Sequence, residues 1–263
     1  LICADIAAGR GVLLIDPKSD LTNDVLARIP ESRRRDVVVI DPSDQQPVGL
    51  NPLAGKHRNP ALVADSVLAV FKELFADSWG ARTQDILTSG LLTLALHPNS
   101  SLVWLPALLT DARFRRRLTK GITDRVGLVP FWAAYESMST GQREQAIAPV
   151  MNKLRQFLLR PALRSVLGQT EPLFEMNDLF TKRRIVLVSL NKGLIGSEGA
   201  RLLGSLVVAQ LWPLVLGRAS LPPERRHIVS VFIDEVQDYL ALPTDLADAL
   251  SQARGLGVGF TIA

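Results

Sequence analysis

Two adjacent carboxylates, Asp234 and Glu235, close a run of mostly β-branched and aromatic residues, Val229-Ser-Val-Phe-Ile233. Such a run reads as a buried strand. Its alternation ends at the acids, so the pair sits at the strand's carboxyl edge, where open α/β sheets place their ligands. Acids there suit magnesium–nucleotide chemistry. The first can hold Mg2+, usually through water, and the second can orient or deprotonate an attacking water. The plainer alternative is a strand end with two solvated acids, since acids are common on surface loops. Arg254 follows Glu235 by 19 residues and precedes Gly255-Leu-Gly257 and the apolar run 258–262. The order is strand, acids, loop, helix, arginine, strand. An arginine there could stabilise charge on a transferring phosphoryl group, in cis or from a neighbouring subunit. Taken alone, it is more simply a cation closing a helix before a glycine stop. Acids, spacing and arginine together favour an NTPase.

The elements that must hold these groups follow from the rest of the chain. Gly11-Val-Leu-Leu-Ile-Asp16 and Val37-Val-Val-Ile40-Asp41 are two further strands, each ending in an acid. Residues 1–8 read as the end of a helix stopped by Gly9, and Ser19 or Asp20 can cap a helix that runs to about Arg28. The βαβ spacing implies a parallel sheet. Asn51-Pro52 marks a turn in the loop 42–55. From 60 to 168 the pattern is helical and no strand is evident, which predicts an all-helical insertion between α/β segments 1–59 and 169–263. The strand Ile185-Val-Leu-Val-Ser-Leu190, a loop bearing Lys192, and a long helix from about Glu198 to Gly217 then restore the α/β pattern. Lys192 could reach a phosphate; a plain loop lysine is the simpler reading.

Composition sets outer bounds. The chain has 263 residues, 47% hydrophobic and 21% charged, enough apolar material for a core. Thirty basic residues against 26 acidic ones leave a net charge of +4, compatible with a polyanionic partner. Arg113 with Arg115-Arg-Arg117, and Arg160 with Arg164, could track a phosphate backbone, although a solvated helix face is the simpler reading of either cluster alone. Arg33-Arg-Arg35, Lys182-Arg-Arg184 and Arg225-Arg-His227 each precede a strand. A single cysteine, Cys3, excludes an intrachain disulfide and a Cys-rich zinc site, and fits a reducing compartment. His57, His97 and His227 lack metal-ligand spacing. The most apolar segment, 202–216, is shorter than the roughly 20 residues a spanning helix needs, so it is expected in the core, with any membrane anchor outside this chain.

An NTPase of this layout also needs a glycine-rich loop ending in Gly-Lys-Ser/Thr to cradle phosphates. Gly193-Leu-Ile-Gly196 and Gly255-Leu-Gly-Val-Gly259 lack that ending. The chain begins at Leu1 without Met and is expected to start just after such a loop.

Gly11-Val-Leu-Leu-Ile-Asp-Pro-Lys-Ser-Asp-Leu21, with Asp41-Pro42 and Asn51-Pro-Leu53, resembles the region after the Walker A helix in the coupling-protein ATPases of type IV secretion and conjugation. These belong to the larger group of FtsK- and HerA-like DNA translocases. Phe232-Ile-Asp-Glu-Val-Gln237 resembles their Walker B strand, and Leu250-Ser-Gln-Ala-Arg-Gly-Leu-Gly257 the segment with their arginine finger. The resemblance implies an α/β, RecA-like P-loop NTPase fold: a three-layer parallel sheet with an inserted all-α domain. It implies ATP and Mg2+ as ligands, with Asp234 on the metal, Glu235 activating water, and Arg254 reaching a neighbour's nucleotide in a homo-hexamer. Asp16 and Lys18, counted with Asp234 as cofactor-binding residues, match a motif to which the resemblance attaches no specific role, and glycine is more usual where Ser19 stands. The implied activity is ATP-driven delivery of DNA to a conjugative secretion channel. Its partners would be DNA, a relaxase or relaxosome and channel proteins, at the cytoplasmic face of the bacterial inner membrane. Two other readings stay open: a cytosolic HerA-like translocase in repair or packaging, and a non-catalytic relaxosome-binding module on an NTPase fold. Without the Walker A loop, the chain alone is expected to bind ATP poorly.

Overall fold

Gly11–Asp16 forms β1, all six residues buried, because an apolar run covered on both faces is the signature of a strand inside a parallel sheet. Val37–Ile40 is β2, Ile185–Ser189 β3, Val229–Ile233 β4 and Val258–Ile262 β5. The computed structural model describes residues 1–54, 59–238 and 246–263. Gly55 and His57, and Tyr239 after the Walker B-like strand, lie outside the described residues. The five strands are all parallel in the order β2-β3-β1-β4-β5. β1 is therefore central, and the strand that ends in Asp234-Glu235 is its direct neighbour. The edge strand β5 is buried only at Val258 among its five residues.

Helices Ile2–Ala7 and Asp20–Leu26 cover one face of this sheet. Ile6, Val25 and Ile29 form a buried cluster with Val12 and Leu14 of β1, Ile185 and Leu187 of β3, and Phe232 of β4. Gly9, at φ +74°, provides the left-handed step between the first helix and β1. The helix Ser197–Gly217 is 21 residues long, more than the apolar stretch read from the sequence. By length and composition it could cross a membrane, but 72% of its apolar window is buried within the protein, so its burial is that of a core helix.

Two compact units emerge: residues 1–50 with 172–263, which carry the sheet, and residues 51–171. The second unit thus begins before residue 60 and ends after residue 168. The physical reason is Asn51. Its Nδ2 donates to Ser100 O at 2.7 Å, tying the turn to the helical unit, and its Oδ1 accepts from Leu53 N at 3.0 Å. Among its described residues the second unit contains helices and no strand. Its core gathers Phe71, Phe75 and Phe157 in edge and stacked contacts, and Trp132 donates to Thr93 Oγ1 at 2.9 Å.

Candidate functional site

The parallel register brings three strand ends together. Ile15 of β1 lies beside Ile233 of β4, and Asp16 beside Ser189 of β3. Backbone bonds carry the pairing past the strands: Asp234 N donates to Ile15 O at 3.1 Å, Leu190 N to Asp16 O at 2.9 Å, and Lys192 N to Pro17 O at 3.0 Å. Residues 16–20, 189–192 and 234–235, far apart in sequence, thus share one carboxyl edge.

Asp16 is 1% exposed. Its Oδ1 accepts from Lys18 N at 2.9 Å and its Oδ2 from Thr22 N at 2.7 Å. Thr22 N is one of the orphan amides in the first turn of the helix Asp20–Leu26. Asp16 therefore caps this helix, in place of the expected Ser19 or Asp20, and both its oxygens are engaged by the chain itself. The same two bonds hold the loop after β1 against the start of this helix. Ser19 occupies the cap position at φ +71° without a side-chain cap bond. A side chain in that left-handed region is strained, which is why glycine suits such a turn. Here Ser189 Oγ, donating to Ser19 Oγ at 2.7 Å, ties the turn to β3.

Glu235 is the electrostatic centre of the edge. Lys18 Nζ stands 3.1 Å from its Oε1, and Lys192 Nζ pairs with its Oε2. One lysine comes from the loop after β1 and the other from the loop after β3, so each oxygen has its own cation. The hydrogen bond from Lys192, with that from Lys18, holds the Glu235 carboxyl below the usual carboxylate range. Reciprocally, the Glu235 hydrogen bond raises Lys18 above the ordinary lysine value. Glu235 also sits at φ +51°, a conformation rare for a non-glycine residue. Sequence reasoning undervalued Lys192. The signal was its place directly after β3, but only strand order reveals that β3 and β4 flank the same neighbour.

Asp234 is half-buried. Its Oδ1 accepts from Glu235 N at 3.1 Å, and its Oδ2 has no hydrogen-bond partner among the described residues. It lines a cleft of about 530 Å³, bounded by the helix Ile2–Ala7, the helix Asp20–Leu26 and the end of β5. The other walls are mostly apolar, including Ile2, Leu14, Val25, Phe232 and Ile262. An available carboxylate oxygen in a cleft fits a hard cation held directly or through water. No group of three or more metal-binding side chains exists among the described residues, so any metal here would need additional oxygen ligands.

Arg254 is not brought to this edge. It lies exposed in the last turn of the helix Leu246–Gly255, which leads into the start of β5. That is the amino edge of the sheet, one strand length or roughly 16 Å from the acids. Arg254 therefore stands apart from the acids of its own chain. The basic cluster around Arg115 is also not a free row of cations. Arg115 is 1% exposed, donates to Glu136 Oε1 at 2.6 Å and to Leu108 O and Leu109 O, and lies over the Tyr135 ring. In the other cluster Arg164 donates to Leu158 O.

An all-parallel five-stranded sheet with flanking helices, a helical unit between its segments and paired acids at the end of β4 is a RecA-like α/β fold. No family model and no curated protein matches the sequence. Among solved structures, the chain is similar to the bacterial conjugative coupling protein TrwBdeltaN70 in an unbound monoclinic form, with a TM-score of 0.58 and 19% identity over 98% of this chain and 56% of that one. It is similar to plasmid coupling protein TrwB in complex with ADP and Mg2+, at TM-score 0.58 and 19% identity over 98% and 57%. The complex of that protein with a non-hydrolysable ATP analogue gives 0.57 and 18% over the same shares. The chain thus has the fold of these coupling proteins and spans a little over half their length.

Proposed function

We propose that this chain carries the Walker B half of an ATP-driven DNA motor of the conjugative coupling type. The observation that carries the reading is the carboxyl edge itself: Asp234 opens into a cleft while Lys18 and Lys192 converge on Glu235. The likeness to a protein solved with ADP and Mg2+ supports it. Asp234 would hold Mg2+, and Glu235 would orient the attacking water and accept its proton. Bound Mg2+–ATP supplies the electrophilic γ-phosphorus and the charge that the site must stabilise. Lys18 and Lys192 keep Glu235 ionised, the form a base needs. The phosphate cradle is not among these residues, so turnover belongs to a protein that also carries a Gly-Lys-Ser/Thr loop.

Arg254, remote from its own chain's acids, would serve a neighbouring subunit's nucleotide, consistent with a homo-hexameric ring. DNA, a relaxosome and channel proteins at the cytoplasmic face of a bacterial inner membrane complete the proposal. The test is Glu235→Gln in a protein with the phosphate loop. ATP turnover is expected to fall by about 10²–10⁴-fold, the range of a lost general base, with nucleotide still bound. Parent-like turnover would defeat the assignment.

A further inference from the structure

Three basic triplets of the sequence are left over by the site above: 33–35, 182–184 and 225–227. Each lies just before a strand, and the register sets those strands level. Val37 pairs with Ile185, Ile185 with Val12, and Gly11 with Val229. The triplets therefore line up along the amino edge of the sheet, across β2, β3, β1 and β4, opposite the carboxylate edge. We propose that this edge is a second site that binds the phosphate backbone of a nucleic acid, independent of base sequence. The inference extends the DNA-handling part of the proposed function and needs no nucleotide.

Gathering like charges on one edge is unfavourable unless something anionic offsets them. The chain's own acids do so only in part. Asp36 pairs with Arg33, Glu31 with Arg34 and Asp178 with Lys182. Arg35, Arg183 and Arg225 are exposed and have no acidic partner among the described residues. The backbone that presents them is fixed. Arg33 Nη2 donates to Arg183 O at 2.7 Å, Arg184 Nη1 donates to Arg35 O, and Arg183 Nη2 lies 3.3 Å from His227 Nδ1. Arg183 is held at φ +54°, a strained conformation that the surrounding bonds must maintain and that clusters at functional positions.

The chemistry favours phosphate. The three exposed cations without an acidic partner are all arginines, whose planar fork matches phosphate oxygens. Three inter-strand steps span roughly 14 Å, and one strand of duplex DNA offers a phosphate about every 3.4 Å along its axis. No exposed large hydrophobic side chain among the described residues is aromatic. Base stacking and aromatic anchoring in a membrane interface both call for such rings.

The test is fluorescence anisotropy of this chain with a labelled 20-bp duplex between 50 and 200 mM KCl. Three phosphate contacts give a log–log slope of roughly −2.7, so affinity falls about 40-fold over that range through these arginines. Arg35→Gln/Arg183→Asn/Arg225→Gln is expected to flatten the slope by about that amount, asparagine being tolerant of the left-handed backbone. Arg35→Lys/Arg225→Lys should retain it. If the triple variant does not fold, Arg225→Gln alone should flatten the slope by about 0.9. An unchanged slope in well-folded variants overturns the proposal. So does loss of binding in an Arg113→Gln/Arg116→Gln control while the edge variants bind normally; that outcome leaves the motor reading intact. Binding to phosphatidylserine vesicles but not to duplex would replace the nucleic acid with a membrane and also overturn it. The motor reading is decided separately, by turnover of Glu235→Gln.

Discussion

Asp16→Asn separates a carboxylate that builds the site from one that touches the nucleotide. The native group is buried and receives two amides, Lys18 N at 2.9 Å and Thr22 N at 2.7 Å. Asparagine offers one acceptor oxygen and one NH2 donor. One amide keeps its partner, and the other faces a donor in a dry environment. Losing a hydrogen bond to a charged acceptor costs about 1.5–3 kcal/mol, and a buried unmatched donor about 1–3 kcal/mol. The two overlap, which puts the substitution at about 2–4 kcal/mol. For a chain of this size that corresponds to a melting shift of roughly 4–16 °C in the α/β unit. Thermal unfolding by circular dichroism reads the shift, and hydrogen exchange at the Thr22 amide shows whether the helix start has loosened. A melting temperature within about 1 °C of the parent, with Thr22 still protected, would refute the capping role. A purely ligand-directed aspartate would give that result together with weaker nucleotide binding.

Gly11→Ala should lower the urea midpoint sharply. A Cβ there meets Leu179 O at 2.3 Å and Val229 Cγ2 at 3.2 Å, and overpacking of this kind costs about 1–3 kcal/mol or more. In the intact assembly, mixing Arg254→Ala subunits with Glu235→Gln subunits should restore part of the lost ATPase activity; no restoration at any ratio rejects action in trans. The helical unit should lose stability in acid. The Arg115 hydrogen bond holds Glu136 below its usual range, and backbone amides do the same for Asp111 and Asp124. Carboxylates depressed on folding stabilise above their unfolded pKa, about 4, and lose that contribution as pH falls through the lower folded value. Thermal scans from pH 7 to pH 3 should show the decline, flatter in Glu136→Gln; a profile identical to the parent's would exclude this ion pair as a source.

Local patterning was enough to read the pieces: strands with acids at their ends, a helical insertion, and acids and arginine at fixed spacing. Apolar runs and periodicity are local signals, so β1, β3 and β4 were legible to within a residue or two. Strand order was not, because parallel pairing joins residues with little sequence relation. Only that order puts the loop after β3 and the loop after β1 on opposite oxygens of Glu235. It also made Asp16 the cap of the following helix in place of Ser19 or Asp20, since capping depends on where Thr22 N points and not on residue type. The same geometry sent Arg254 to the far edge: a helix returning between two parallel strands must end where the next one begins. Charge at a site is thus written in the sequence, while its partners are chosen by the sheet.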